Sequence, residues 1–198
     1  MDNYPDRLMK RLRQAFLDHG YEHVSMVGLA EACEVSRRSL YNYFSSKQEA
    51  FRGVLRWRHA LEIEAGLAAG ERKLAEGGSA LDAIVEIFDA RYGEARRDLE
   101  RSPHALEINR EAFRQAGDIM SDSAEVFHTR LGRFLEELAA QKKLALKPGF
   151  SAGEVAQLLA DGARGVNQTL PRRSALSLPE RYRRICEAVL YGSATHES

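Results

Sequence analysis

Gly20-Tyr-Glu-His-Val-Ser25-Met-Val-Gly-Leu-Ala30-Glu-Ala-Cys-Glu-Val-Ser36-Arg-Arg-Ser-Leu40-Tyr-Asn-Tyr-Phe-Ser-Ser-Lys47 contains two short amphipathic stretches joined by a tight turn. Ser25 can cap the first, whose inward positions are Met26, Leu29, Ala30 and Cys33. Ser36 can cap the second, whose inward positions are Leu40 and Phe44. In each case the serine hydroxyl accepts from an amide of the first helical turn that has no partner within the helix. Cys33 and Arg37 are separated by three residues, which leaves room for a helix-turn-helix connection and no long loop. The second stretch carries Arg37, Arg38, Ser39, Tyr41, Asn42 and Tyr43 at positions the core does not need. A short capped helix with donors and aromatics outward is suited to a nucleic-acid backbone and its groove edges.

Gly20-Tyr-Glu22, Leu29-Ala-Glu-Ala32 and Val35-Ser-x-x-Ser-Leu-Tyr-Asn-Tyr-Phe44-x-Ser-Lys47 together resemble the DNA-binding domain of the tetracycline-repressor (TetR) family of transcriptional regulators. The likeness runs from about Arg7 to Arg58 and is most specific in Leu40-Tyr41-x-Tyr43-Phe44-x-x-Lys47. It implies that the second helix of the motif enters the major groove. Arg37 and Arg38 then stand in its first turn, where arginine's planar fork can bond two acceptors of one guanine. The resemblance also implies phosphate contacts for Tyr41, Tyr43 and Lys47, and a base or backbone contact for Asn42. Ser25 can donate to a phosphate as well as cap its helix. Tyr43 has a competing reading as partial core, since an aromatic ring with a polar tip often serves both ends.

Two positions depart from the family pattern. The turn position usually held by glycine is Glu34, which carries strain of order 1 kcal/mol if the turn keeps a positive φ. Gly28 lies inside the first helix of the motif and costs it roughly 1 kcal/mol of propensity.

The total charge is zero, with 29 basic and 29 acidic residues, which by itself argues against a nucleic-acid binder. Up to Arg58, however, ten Lys and Arg stand against seven Asp and Glu, so the front carries +3 and the remainder −3. The front's basic side chains cluster near the two outer helices: Arg7, Lys10, Arg11, Arg13, Arg37, Arg38 and Lys47. No apolar run approaches the roughly 18 residues needed to span a bilayer, and the start, Met1-Asp-Asn-Tyr-Pro-Asp-Arg7, has no apolar signal segment. Cys33 and Cys186 read as reduced, buried thiols, and a cytoplasmic location without membrane partners is expected.

The rest of the chain is organised by helical period alone. Pro5, Pro103, Pro148, Pro171 and Pro179 fall where helices start or stop. Ser46 with Glu49, Ser151 with Glu154 and Ser177 with Glu180 read as capping boxes, and Ser79 and Ser102 as further starts. The first helix is marked by Leu8, Leu12, Ala15 and Phe16 and ended by Gly20; a fourth runs from Phe51 towards Gly70. A fifth carries Leu81, Ile84, Val85, Phe88 and Tyr92, a sixth spans about Pro103 to Phe113, and a seventh carries Met120, Phe127, Leu131, Phe134, Leu135 and Leu138. Val155, Leu158, Leu159 and Val166 mark an eighth, over Ser151–Leu170. Ile185, Cys186, Val189 and Leu190 mark a ninth, over Ser177–Gly192. The expectation is an all-α protein: a three-helix DNA-binding head with a helix-turn-helix at residues 1–46, and a larger helical bundle for effector binding and dimerisation at 47–198.

By resemblance, the last two helices pair two subunits into a homodimer, with Gly162, Ala163 and Gly165 admitting a partner helix. Two heads then read a palindromic operator in double-stranded DNA. The implied function is a repressor released by a small apolar effector. The candidate effector residues are Phe88, Tyr92, His104, Asn109, Phe113, Met120 and Phe127, with Trp57 where head meets bundle. The alternatives are a DNA-binding dimer without an effector and, more remotely, a helical-bundle metal enzyme. Glu125-x-x-His128 has the spacing of a helical metal motif, but a di-metal bundle needs two such motifs and two further glutamates. Neither a phosphate-binding glycine loop, a paired-cysteine metal motif nor a nucleophile elbow is present. No catalytic residue, cofactor or metal ligand is therefore assigned.

Overall fold

The computed structural model describes residues 5–168 and 173–193. Nine α-helices follow one another among these: α1 Asp6–His19, α2 Met26–Ala32, α3 Arg37–Tyr43, α4 Lys47–Ala75, α5 Ala80–Phe88, α6 Glu94–Glu100, α7 Ala105–Ala140, α8 Ala152–Asn167 and α9 Leu178–Ser193. No strand element occurs among the described residues, as the all-α reading expects. The expected tail of α8 at Thr169 and Leu170, the punctuation at Pro171 and the first four residues lie outside the described stretches.

The caps explain most of the boundaries. Ser79 accepts from the amide of Asp82 while the Asp82 carboxylate accepts from the amide of Ser79, which starts α5. Ser151 and Glu154 satisfy each other in the same way at the start of α8. The box expected at Ser177 does not form. Ser177 closes a single 3-10 turn, Ala175–Ser177, and its hydroxyl donates to the Ser174 carbonyl at 2.8 Å. At α4, Ser46 accepts from the Glu49 amide as expected, but the Glu49 carboxylate accepts from the amide and hydroxyl of Ser45, both at 2.6 Å.

Two features of the middle of the chain escape periodicity. A π-helical turn, Asp89–Gly93, continues α5 into α6, and α6 buries only Leu99. The expected sixth and seventh helices both form and meet at Ala116, whose φ of −145° and ψ of 31° leave the helical region; together they make up α7.

By packing, the chain forms two compact units. One comprises the described residues of Met1–Ala60 and Asp98–Ser123, the other those of Leu61–Arg97 and Ala124–Ser198. The first unit is cored by Leu12, Phe16, Leu29, Leu40, Phe44 and Phe51 together with Leu99, Ile108, Ala112 and Ile119. Each large apolar side chain so buried contributes roughly 1.5–3 kcal/mol. The stretch Asp98–Ser123 therefore packs with the first three helices, although its sequence position sets it in the later bundle. Charged residues reinforce this: Arg13 pairs with Asp98 at 2.7 Å, Arg110 with Glu22 at 2.5 Å, and Arg52 with Asp118 at 2.6 Å.

The second unit is cored by Ile84, Phe88, Phe127, Leu131, Leu135, Leu159, Tyr182 and Cys186. Tyr182, fully buried, donates its hydroxyl to Asn167 at 2.7 Å. Leu158 corrects the sequence reading: it is 48% exposed, whereas Leu159 is fully buried. Gly162 corrects it too, for a Cβ there would lie 2.6 Å from Cγ1 of Ile185. Its smallness admits α9 of the same chain, and Ala163 is buried in the same core. Gly165 alone of the three has open space beside it. Cys33 and Cys186 are free and buried; burial pushes their thiols up to about 11 and about 12 respectively. Among the described residues no helix is long and apolar enough to cross a membrane.

Asp82 gives a direct test of the second unit. Its carboxylate pairs with Arg183 and accepts from the Ser79 hydroxyl at 2.7 Å and amide at 3.0 Å, which lowers its pKa from 3.8 to about 2. The folded value lies below the free one, so the contribution is complete above pH 4 or so and disappears as pH falls through about 2. At neutral pH, Asp82→Ala is expected to cost about 1–2 kcal/mol, combining a lost cap with a lost, partly exposed ion pair. A urea titration checks this; an unchanged midpoint at unchanged slope would deny Asp82 that role.

Candidate nucleic-acid interface

The site is built from α2, the turn after it and α3. Ser25 accepts from the amide of Gly28 at 3.2 Å, and Ser36 accepts from the amide of Ser39 at 3.0 Å, so both expected caps form. α2 ends in a Schellman motif. The Val35 amide reaches back to the Ala30 carbonyl and the Glu34 amide to the Glu31 carbonyl, each at 3.0 Å. That closure requires a left-handed residue, and Glu34 supplies it with φ of 56°. The strain expected from the sequence is therefore present.

α3 is anchored by Leu40 and Phe44, both fully buried. Gly53 of α4 makes room for the Phe44 ring, since a Cβ there would meet its Cε1 at 2.8 Å. With those residues inward, Arg37, Arg38, Tyr41, Asn42 and Tyr43 face solvent. Tyr41 is 46% and Tyr43 40% exposed, so Tyr43 belongs mainly to the surface. The Ser39 hydroxyl lies 2.9 Å from that of Ser36 and is tied to the cap. The side chains of Arg37 and Arg38 make no ion pair or hydrogen bond with any described residue. Several other arginines of the same unit are paired with acids: Arg7 and Arg11 with Glu34, Arg13 with Asp98, Arg52 with Asp118, Arg110 with Glu22 and Arg114 with Glu111.

Lys47 makes contacts within its own unit that its sequence position did not foretell. Its ammonium donates to the carbonyls of Tyr21 at 2.7 Å and Glu22 at 3.1 Å, and stands 4.7 Å from the Tyr21 ring centroid. It thereby fixes the loop between α1 and α2. The same loop is held from α7, where the Glu107 carboxylate accepts from the Glu22 amide at 2.6 Å. Ser102 also donates to the Leu17 carbonyl at 2.5 Å. None of these cross-links was visible as a pattern, because each joins residues 25 or more positions apart.

The eight candidate effector residues divide between the two units. Trp57, His104, Asn109, Phe113 and Met120 belong to the first unit. Trp57 donates to Asp6 at 3.0 Å, His104 lies 3.3 Å from Glu107, and Phe113 is 57% exposed. Phe88, Tyr92 and Phe127 belong to the second unit and pack on one another with centroid separations of 5.9 to 6.1 Å. The Arg91 guanidinium stands 4.8 Å from the Tyr92 centroid and 4.1 Å from that of Phe127, an arrangement that favours a cation over ring faces.

Glu125 and His128 belong to no metal-ligating cluster. Among the described residues no three His, Cys, Asp or Glu side chains gather in that way. His128 instead lies 3.3 Å from Arg164, and burial, followed by that guanidinium, lowers its pKa.

Residues 8–54 match the family model described as bacterial regulatory proteins, tetR family. The HTH-type transcriptional regulator TcmR of Streptomyces glaucescens is 37% identical over 91 residues, or 46% of this chain and 38% of that protein. The chain thus spans about two fifths of the length of that relative. The structure of a TetR-family regulator from Mesorhizobium loti superposes with a TM-score of 0.70 at 17% identity, covering 96% of each chain. Thermus thermophilus FadR, a TetR-family transcriptional repressor solved in complex with lauroyl-CoA, gives 0.62 at 19% identity, over 98% of this chain and 96% of that one.

Proposed function

We propose that this chain is a member of the tetR family of bacterial regulatory proteins, whose model its residues 8–54 match, and acts as a homodimeric transcriptional regulator that binds double-stranded operator DNA through α3. The family is not one of enzymes. One observation carries the DNA reading: Arg37 and Arg38 lead an exposed, capped helix without an acidic partner among the described residues, while neighbouring arginines are neutralised. Tyr41, Asn42 and Tyr43 extend the same exposed surface. In this reading the arginines bond guanine edges, Tyr41 and Tyr43 brace phosphates, and Asn42 meets base or backbone. Ser25 and Ser39 contribute hydroxyls at the two helix starts. Lys47 shapes the loop beside the motif with two of its three N–H donors, which leaves the third for a phosphate.

Two copies pair through the outward faces of α8 and α9, where Leu158 and Tyr191 are 48% and 50% exposed. The pair reads an inverted repeat whose half-sites lie about one helical turn, roughly 34–36 Å, apart. The protein acts in the cytoplasm as a repressor, released by a small, largely apolar effector held near Phe88, Tyr92 and Phe127. The lauroyl-CoA complex of Thermus thermophilus FadR, a protein of like fold, supports a ligand with an alkyl chain. An effector weakens DNA binding only by its differential affinity for the DNA-competent and DNA-incompetent states, and operator must weaken effector binding by the same factor. A footprint across the DNA upstream of its own gene tests the reading. A protected stretch with two-fold symmetry is expected, shortened or lost when an acyl-CoA that binds the protein is added. No protection at micromolar protein would refute it.

A further inference from the structure

We infer that Arg11 is a positioning residue for the helix-turn-helix: its ion pair with Glu34 straps the turn and so sets the direction in which α3 is presented. This rests on the DNA-binding reading of α3.

The argument starts from backbone geometry. The Schellman closure of α2 places residue 34 at φ of 56°. Glycine takes that conformation without cost, whereas a residue with a Cβ is strained there. Glutamate therefore opposes the local geometry and needs a compensating partner. The partner lies on α1. Arg11 Nη1 is 2.6 Å from Glu34 Oε2 and also donates to the Cys33 carbonyl at 2.8 Å. Arg7, one turn earlier on α1, adds a longer contact to the same carboxylate at 3.8 Å. One guanidinium thus grips both the last carbonyl before the turn and the side chain of the strained residue. The Arg11 hydrogen bond lowers the Glu34 pKa accordingly.

The strap matters for α3 because the connection is so short. Glu34, Val35 and Ser36 are all that separates Cys33 from the first residue of α3. A change in φ at residue 34 therefore reorients α3 directly. Glycine there would remove the strain and also the strap, leaving the turn free to sample other angles.

The test is a double-mutant cycle on operator binding, made with Arg11→Ala, Glu34→Gly and both together, with amide hydrogen exchange on the free protein. Glu34→Gly removes a negative charge beside the DNA-facing helix and relieves strain, and simple electrostatics predicts tighter binding. Positioning predicts the opposite. Each single variant should lose about fivefold in affinity, the upper end for an exposed ion pair, and the double variant no more than either. Arg11→Lys, which keeps the cation, should restore most of the loss. In the free protein, the Val35 amide, bonded to the Ala30 carbonyl at 3.0 Å, should exchange faster in Arg11→Ala than in the wild type. If Glu34→Gly binds operator more tightly, or if losses multiply in the double variant, Arg11 is a direct phosphate contact and the inference is overturned. Unchanged Val35 exchange overturns it as well. If the wild type binds no duplex while Val35 exchange does accelerate, the DNA reading fails and the strap itself stands.

Discussion

Replacing Leu158 by glutamate is expected to turn the proposed dimer into a monomer and to weaken operator binding at least a hundredfold. Leu158 sits on α8 with about half its surface exposed, facing away from the core that Leu159 and Ala163 complete. A carboxylate buried there between two copies would have no compensating partner, so its desolvation opposes association. Two linked heads bind more tightly than one because the second contact is intramolecular, and that advantage is on the order of 10²–10⁴. Sedimentation should report a monomer with its helical circular dichroism intact. The choice of residue is critical. A charge at Leu159 would also abolish the dimer, but by wrecking the core of the second unit, and the result would say nothing about pairing. A Leu158→Glu protein that remains a dimer would place the interface elsewhere.

Replacing Arg37 or Arg38 by alanine is expected to have the second-largest effect, and a different kind of effect. Neither side chain holds the fold, since both are exposed and make no ion pair with a described residue, so thermal stability should stay within about 0.5 kcal/mol of wild type. Operator affinity should fall by roughly 1–3 kcal/mol, and discrimination should relax at particular base pairs rather than everywhere. Tyr41→Ala should instead weaken all duplexes about equally. Titrations against single-base variants of the operator separate the two patterns. Equal losses on every duplex for all three variants would reduce the arginines to phosphate contacts.

The helix-turn-helix was legible almost atom by atom because its determinants are local. Caps, a turn of fixed length and the inward pair Leu40 and Phe44 are all set by residues within a few positions of one another. Even the strain at Glu34 followed from the turn alone. The α6 segment Glu94-Ala-Arg-Arg-Asp-Leu-Glu100 escaped because a helix that buries one leucine shows no apolar stripe. Periodicity also left open which element a helix packs against. Asn109, Phe113 and Met120 lie on a helix of the right character and His104 in the turn just before it, yet their stretch joins the first unit through partners such as Glu22, Leu17 and Arg52. Leu158 and Leu159 differ by 100° around α8, and a stripe of that width cannot tell core from contact face without the neighbouring helix in place.

The claim on which the rest depends is that α3 reads sequence. It is tested most directly by fluorescence anisotropy, titrating wild-type protein and the Arg37→Ala, Arg38→Ala double variant against the upstream inverted repeat and a scrambled duplex of equal length and composition. Wild type should prefer the repeat by about 10³ or more at physiological salt, and the double variant should bind both duplexes with the same weak affinity. Equal wild-type affinity for the repeat and the scrambled duplex would contradict it.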